Sequence, residues 1–280
     1  MWLILALVTA VFWAIGSVLL KKGVASLPQS LMYLSNSVFF LGWWLIYLMI
    51  TGGWQFDWRA SLIALLPPLG FVYALAALKR NQAGLILAIA SIHPAVTAVL
   101  AIGFLGERLN FTQLILIGLI ILGAVVMGWP ASVKASTGKA GSWIWWGLGF
   151  GLWSGVNNFV SKIGINLTNT VSYSLIMAMW QFLFAGIFLS VEKQWGKVAD
   201  LVQPKGRIGL VAAGVYNLGS VAFFAALGLG QASLVMPVVN LYVPLICLLA
   251  WWWLKERMTR RQMAGAGVIV VSVILFSLIS

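Results

Sequence analysis

Long apolar runs alternate with short polar breaks along the whole chain, and each run is close to the length of a bilayer crossing. About 20 apolar residues span a hydrocarbon core. Reading the runs against charges, glycines and prolines gives ten: 2–20, 30–50, 61–78, 83–105, 111–129, 143–161, 171–191, 207–228, 232–254 and 263–279. A segment in lipid has to satisfy its own backbone hydrogen bonds, so every run predicts a helix. The thinnest separations are Lys79-Arg80 and residues 228–231. Residues 130–141 are polar and flexible in composition, as a linker is. They divide the chain into a five-span half at 1–129 and another at 142–280. An odd span number turns the second half over relative to the first. The expected fold is therefore an all-α integral membrane protein of ten transmembrane helices, built as two inverted five-helix repeats.

The halves also share residues. Ala76-Ala77-Leu78, Gln82-Ala83 and Glu107-Arg108 return 149 residues later as Ala225-Ala226-Leu227, Gln231-Ala232 and Glu256-Arg257. Phe12-Trp13 through Lys22 returns 140 residues later as Leu152-Trp153 through Lys162. Membrane chains made of two similar halves commonly carry a solute pathway along the internal pseudo-twofold axis. Transport is thus the first functional expectation.

Composition adds to this. Hydrophobic residues make up 62% of the chain and charged residues 8%, with a mean hydropathy of +1.03. A soluble domain carries about a quarter charged residues, so here the apolar surface faces lipid. The net charge of +12 comes from cations scattered between apolar runs. That pattern suits topology and headgroup anchoring, not a nucleic-acid stripe. Of the 17 cations, all but Arg59, Arg108 and Lys162 follow odd-numbered runs, which by the positive-inside rule puts those loops in the cytoplasm and both termini outside. No cationic region precedes the first run, so no cleavable leader is expected. Cys247 is the single cysteine and has no internal disulfide partner.

The five acidic residues, Asp57, Glu107, Glu192, Asp200 and Glu256, all fall at or near span ends. A carboxylate deep in a span is the usual relay of a proton-coupled cation exporter, and none is present. There is no carboxylate cluster for a hard cation and no Cys/His set for zinc. Neither a nucleophile–base pair nor a phosphate loop suggests chemistry on a substrate. No catalytic residue, metal or cofactor is expected.

Polarity instead takes the form of amides, hydroxyls and one imidazole. His93, the only histidine, stands mid-span in Ser91-Ile92-His93-Pro94, and the second half places Asn240-Leu241-Tyr242-Val243-Pro244 at the matching depth. Ser91 aligns with Asn240, and His93 with Tyr242. Two readings of His93 stand: a hydrogen-bonded packing residue beside a proline, and a substrate ligand or proton relay. Paired polar residues beside prolines fit a central site made by bent or broken helices, with Gly70, Pro94, Gly219 and Pro244 as candidate bends. Asn36 aligns with Gln181, flanked by Ser35 and Ser37; Asn157 and Asn158 lie in the sixth run, and Tyr216, Asn217 and Ser220 in the eighth. Buried amides need partners, so these face the bundle interior or a wet cavity, as helix glue or as ligands. Asn157 and Asn158 cannot both face it. Gly147, Gly151 and Gly155 form a small-residue ridge for close helix packing. Most of the 16 tryptophans, including Trp43-Trp44, Trp54, Trp143, Trp145-Trp146 and 251–253, sit near span ends as an interfacial belt. Trp13, Trp153 and Trp180 lie mid-span and are candidates to wall the pathway.

Phe-Trp-Ala-Ile-Gly-Ser at 12–17, Gly106-Glu107-Arg108-Leu109 and its repeat Lys255-Glu256-Arg257-Met258 carry a resemblance. Over essentially its whole length the chain resembles the ten-helix EamA-like branch of the drug/metabolite transporter superfamily. The resemblance implies a monomeric plasma-membrane carrier with a central cavity that opens alternately to each side, moving small metabolites such as amino acids, often outward. Asn36 and Gln181 stand where the family's second span often carries Arg, which favours neutral or zwitterionic solutes. Relatives keep both termini in the cytoplasm, opposite to the charge bias. The expected substrate site is Trp13, Asn36, Ser91, His93, Trp153, Asn157, Trp180, Gln181, Tyr216, Asn217, Asn240 and Tyr242. Expected partners are a small-molecule substrate and the lipid bilayer, with no nucleic acid. The competing readings are a sugar or nucleoside uptake facilitator, and a membrane scaffold or lipid-handling protein.

Overall fold

The computed structural model describes residues 1–24, 27–70, 92–128, 142–255 and 258–279, and its regular structure is all helical. The helices among them are α1 (Trp2–Val24), α2 (Gln29–Thr51), α3 (Trp58–Ile63), α4 (His93–Leu105), α5 (Phe111–Gly128), α6 (Ser142–Leu167), α7 (Thr170–Val191), a 3-10 helix (Trp195–Leu201), α8 (Pro204–Leu229), α9 (Ala232–Val239), α10 (Tyr242–Leu254) and α11 (Arg260–Leu278). Six described stretches are long and apolar enough to cross a membrane: Trp2–Leu20, Gln29–Thr51, Thr170–Val191, Gly206–Leu229, Ala232–Trp253 and Arg260–Leu278. His93–Leu105 and Phe111–Met127 are shorter apolar helices.

The described residues hold eleven α-helices where ten spans were expected, because the ninth run contributes two of them; the third run is interrupted as well. The third run opens early as α3, where the Asp57 carboxylate accepts from the N–H groups of Arg59 at 2.7 Å and Ala60 at 3.2 Å. Such a cap satisfies donors that a helix start leaves unpaired. A turn at Ala64-Leu65 interrupts the helix, which resumes over 66–70 with Pro67-Pro68 in its first turn. The ninth run divides into α9 and α10 at Asn240-Leu241. Pro244 has no N–H to offer the Asn240 carbonyl, which accepts from Val243 at 3.1 Å instead; Leu241 likewise reaches Val238 at 3.1 Å.

Three expectations need correction. Lys162, read as a loop residue, lies inside α6, and its ammonium donates to the Leu227 carbonyl in the last turn of α8 at 2.6 Å. A helix C-terminus favours a cation there. Gly219, read as a possible break, lies within the unbroken α8 and is a point of close approach to Trp13. Trp44 is no belt residue, being fully buried, and Trp43 donates its indole N–H to the Gly214 carbonyl at 3.1 Å. The linker at 130–141, the Lys79-Arg80 break, Ser91 and Glu256 lie outside the described residues.

The internal repeat is visible in the helix ends. α10 has the same 13-residue length as α4 and lies 149 residues after it. Gly106 and Lys255 end these helices in the same left-handed conformation, with N–H groups bonded to Ala101 and Ala250. The next helix in each half opens on a reciprocal cap. Asn110 and Gln113 exchange bonds of 2.9 and 2.8 Å before α5, and Thr259 with Gln262 does the same before α11.

The chain forms two compact units, each assembled from separate stretches of sequence. The first comprises Met1–Leu69 and Ser161–Leu229. Here α1 lies along α8, and α2 packs on α7 and α8. Ala6, Ala10, Ala14 and Val18 form a fully buried stripe four residues apart, which lets α1 lie flush on its neighbour. At Gly16 the backbones come so close that a Cβ would stand 2.8 Å from Tyr216 Cα. The second unit comprises Gly70–Val160 and Gly230–Ser280. In it α5 packs on α11 through Gly123 and Gly265, and α4 packs on α9.

Candidate functional site

In the first unit most candidate side chains bond to one another. Trp13 stacks on Tyr216 with ring centroids 5.4 Å apart and planes 6° from parallel, and its indole N–H donates to Ser220 Oγ at 3.2 Å. Asn217 is buried and donates through Nδ2 to Asn36 Oδ1 at 2.7 Å, to the Asn36 carbonyl at 3.2 Å and to the Ala213 carbonyl at 2.9 Å. This asparagine pair ties α2 to α8. Trp180 donates its indole N–H to the Ser61 carbonyl at 3.1 Å, so its polar tip serves α3. Gln181 is the exception in this group. It is buried, and its Nε2 has no partner among the described residues.

The second unit differs. Asn240 is fully buried at the α9–α10 break, and neither its Oδ1 nor its Nδ2 has a partner among the described residues. His93 Nδ1, Trp153 Nε1 and Asn157 Oδ1 are likewise buried and unpaired. His93 opens α4; its carbonyl accepts from Thr97 Oγ1 at 3.0 Å, and Thr97 also donates to the Gly155 carbonyl at 3.1 Å, which fixes α4 against α6. The Trp153 indole lies over Gly70, where a Cβ would collide with its ring nitrogen. Tyr242 begins α10 two residues beyond Asn240. Leaving a buried donor or acceptor unmade costs about 1–3 kcal/mol, and native proteins rarely tolerate it without a reason. Together these atoms present donors and acceptors and no full charge.

One residue that the sequence reading left at a span end has a defined task. Glu107 is buried, and its carboxylate accepts from Ala232 N at 2.8 Å, Ser233 N at 2.8 Å and Ser233 Oγ at 2.5 Å. It clasps the first turn of α9, where free N–H groups and the helix dipole favour an anion. The only signal in the sequence was the repeat itself, which returns both Gln82-Ala83 and Glu107-Arg108 at span ends 149 residues later.

Known proteins agree with this architecture. The family model described as EamA-like transporter family matches residues 1–129 and 141–278. The chain belongs to the EamA-like transporter family. It is therefore a multi-pass membrane protein of a transporter family. Among curated proteins it is similar to the "Uncharacterized transporter YvbV" of Bacillus subtilis (strain 168), at 26% identity over 230 residues that cover 78% of this chain and 71% of that protein. A solved crystal structure of a protein matches with a TM-score of 0.80 at 13% identity, covering 99% of this chain and 96% of the other; that likeness concerns the fold alone.

Proposed function

We propose that this EamA-family chain is a carrier for a small neutral or zwitterionic metabolite, amino-acid-like in chemistry and moved outward across the plasma membrane. It works as a monomer, by alternating access of ten spans arranged as two inverted five-span repeats. The observation that carries this reading is Asn240, a fully buried amide at a helix break whose two polar atoms have no partner among the described residues. A solute that supplies an acceptor and a donor at Asn240 returns what burial costs the empty protein. His93, Trp153 and Asn157 extend the same uncharged set. A helix break also supports a zwitterion, because interrupted helices offer partial charges of both signs without an ionised side chain. None of the five acidic residues belongs to this set, and Asp57 and Glu107 serve helix starts.

The test is counterflow in proteoliposomes loaded with amino acids, sugars and nucleosides, read by mass spectrometry. A neutral amino acid is expected to exchange. Asn240→Leu is expected to abolish exchange and raise the melting temperature, since it removes two unsatisfied polar atoms from a buried place. Loss of activity with raised stability separates a ligand from a packing residue. Exchange by Asn240→Leu at the wild-type rate, or no exchange of any solute by folded protein, overturns the reading. Exclusive exchange of a sugar or nucleoside would replace the substrate class.

A further inference from the structure

The segment joining α10 to α11, residues 255–261, carries four cations and one carboxylate. Beside it is a groove of about 470 Å³ lined by Leu248, Trp251, Met258, Met263 and Ala266. Its walls are open to the surroundings, with Trp251 55% and Met263 52% exposed. Lys255, Arg260 and Arg261 are exposed, and none of them forms an ion pair among the described residues. The backbone supplies an independent clue. Lys255 adopts a left-handed conformation with φ 56°, and its counterpart in the first half, Gly106, has φ 68°. Glycine takes this conformation freely, whereas a side chain strains it. The second half thus places an ammonium group where the backbone favours glycine, next to an apolar groove.

We propose that this groove binds an anionic diacyl phospholipid, with its phosphate among Lys255, Arg260 and Arg261 and an acyl chain along Trp251, Met258 and Met263. Tryptophan is suited to the headgroup level, and unbranched thioethers adapt to a mobile chain. Clustered lysine and arginine at a membrane surface favour anionic over zwitterionic lipid. This site is separate from the uncharged set around Asn240 and holds whatever the chain transports.

Native mass spectrometry of the full-length protein, released from bilayers of equal phosphatidylglycerol and phosphatidylcholine, tests it. Retained phosphatidylglycerol is expected to exceed phosphatidylcholine about ten-fold. Lys255→Gly relieves the backbone strain, so it should keep the melting temperature while lowering that preference. Arg260→Gln with Arg261→Gln should remove the rest. Met263→Trp fills the groove and should expel the lipid with every cation in place. Equal retention of the two lipids, or an unchanged preference in the charge variants, overturns the proposal. So does equal stabilisation by deacylated glycerophosphoglycerol, since the groove would then contribute nothing.

Discussion

Glu107 gives the sharpest test of how the second unit is held together. Its carboxylate is buried and accepts three hydrogen bonds from the first turn of α9. Glu107→Gln keeps the shape and one carbonyl oxygen, which can still accept from Ala232. The new amide group then faces the Ser233 N–H, donor against donor. One buried N–H is left unmade, at about 1–3 kcal/mol, and the anion is lost from a partly buried helix N-terminus, at up to about 2 kcal/mol. The expected cost is about 2–4 kcal/mol in all, because the two effects share one geometry and do not add fully. Unfolding followed by tryptophan fluorescence in mild detergent reads this directly. At about 2–4 °C per kcal/mol for a chain of this order of size, the melting temperature should fall by about 5–15 °C. Glu107→Ala should cost more, since it leaves all three donors unmet. Ser233→Ala should cost only about 1 kcal/mol, because both backbone bonds remain. A melting temperature for Glu107→Gln within about 1 °C of wild type would refute the clasp, as would Ser233→Ala proving as damaging as Glu107→Ala.

Two further expectations concern packing and capping. Gly16→Ala drives a methyl group to 2.8 Å from the Tyr216 backbone, which cannot yield as a side chain can; it should destabilise by about 1–3 kcal/mol. Gly42→Ala meets nothing within 4 Å and should be neutral or slightly stabilising through helix propensity, so equal melting temperatures for the two would contradict the α1–α8 contact. Asp57 caps α3, and the Arg59 side chain bonded to it, together with the Arg59 and Ala60 N–H groups, lowers its carboxyl pKa to about 2. A depressed carboxyl stabilises fully above its ordinary value of 3.8 and loses that contribution as pH falls through about 2. Amide protection factors in Trp58–Ile63 should therefore hold down to pH 4; their loss between pH 5 and 4 would show that the Asp57 carboxyl is not held below its ordinary value.

The parts of this fold legible in the sequence are those fixed by local pattern. α2 and α7 begin and end within a residue of the expected 30–50 and 171–191, because each run is free of charge and bounded by Pro28 and Gly52 or by Asn169 and Glu192. The repeat foretold that α4 and α10 would share a register, and Pro244 foretold a disturbance near Asn240. What stayed hidden depends on partners far along the chain. Trp43 and Trp44 lie at a span end like belt residues, yet one bonds to Gly214 and the other packs among Phe40, Tyr47 and Phe224. Trp180 showed no sign in the sequence that its N–H would be taken by the Ser61 carbonyl, 119 residues away. Lys162 looked like a loop cation because the pattern carries no sign of the helix end at Leu227.

The division of polar atoms between paired and unpaired is the feature sequence alone could not supply, and it ranks the candidates. Trp13, Asn217 and Trp180 were equal to Asn240 as polar residues at span depth. In the folded chain they meet protein partners, and their contribution is to hold α1, α2, α3, α7 and α8 in place. Asn240, His93, Trp153 and Asn157 retain buried atoms that no described protein group meets. A protein that gained nothing from those atoms would be more stable with leucine at Asn240, a substitution that two base changes would reach. Retaining the amide at a helix break is physically sensible where a group beyond the described residues completes it. In the proposed function that group is an uncharged or internally neutral solute, and loss of exchange with raised stability in Asn240→Leu is its expected signature.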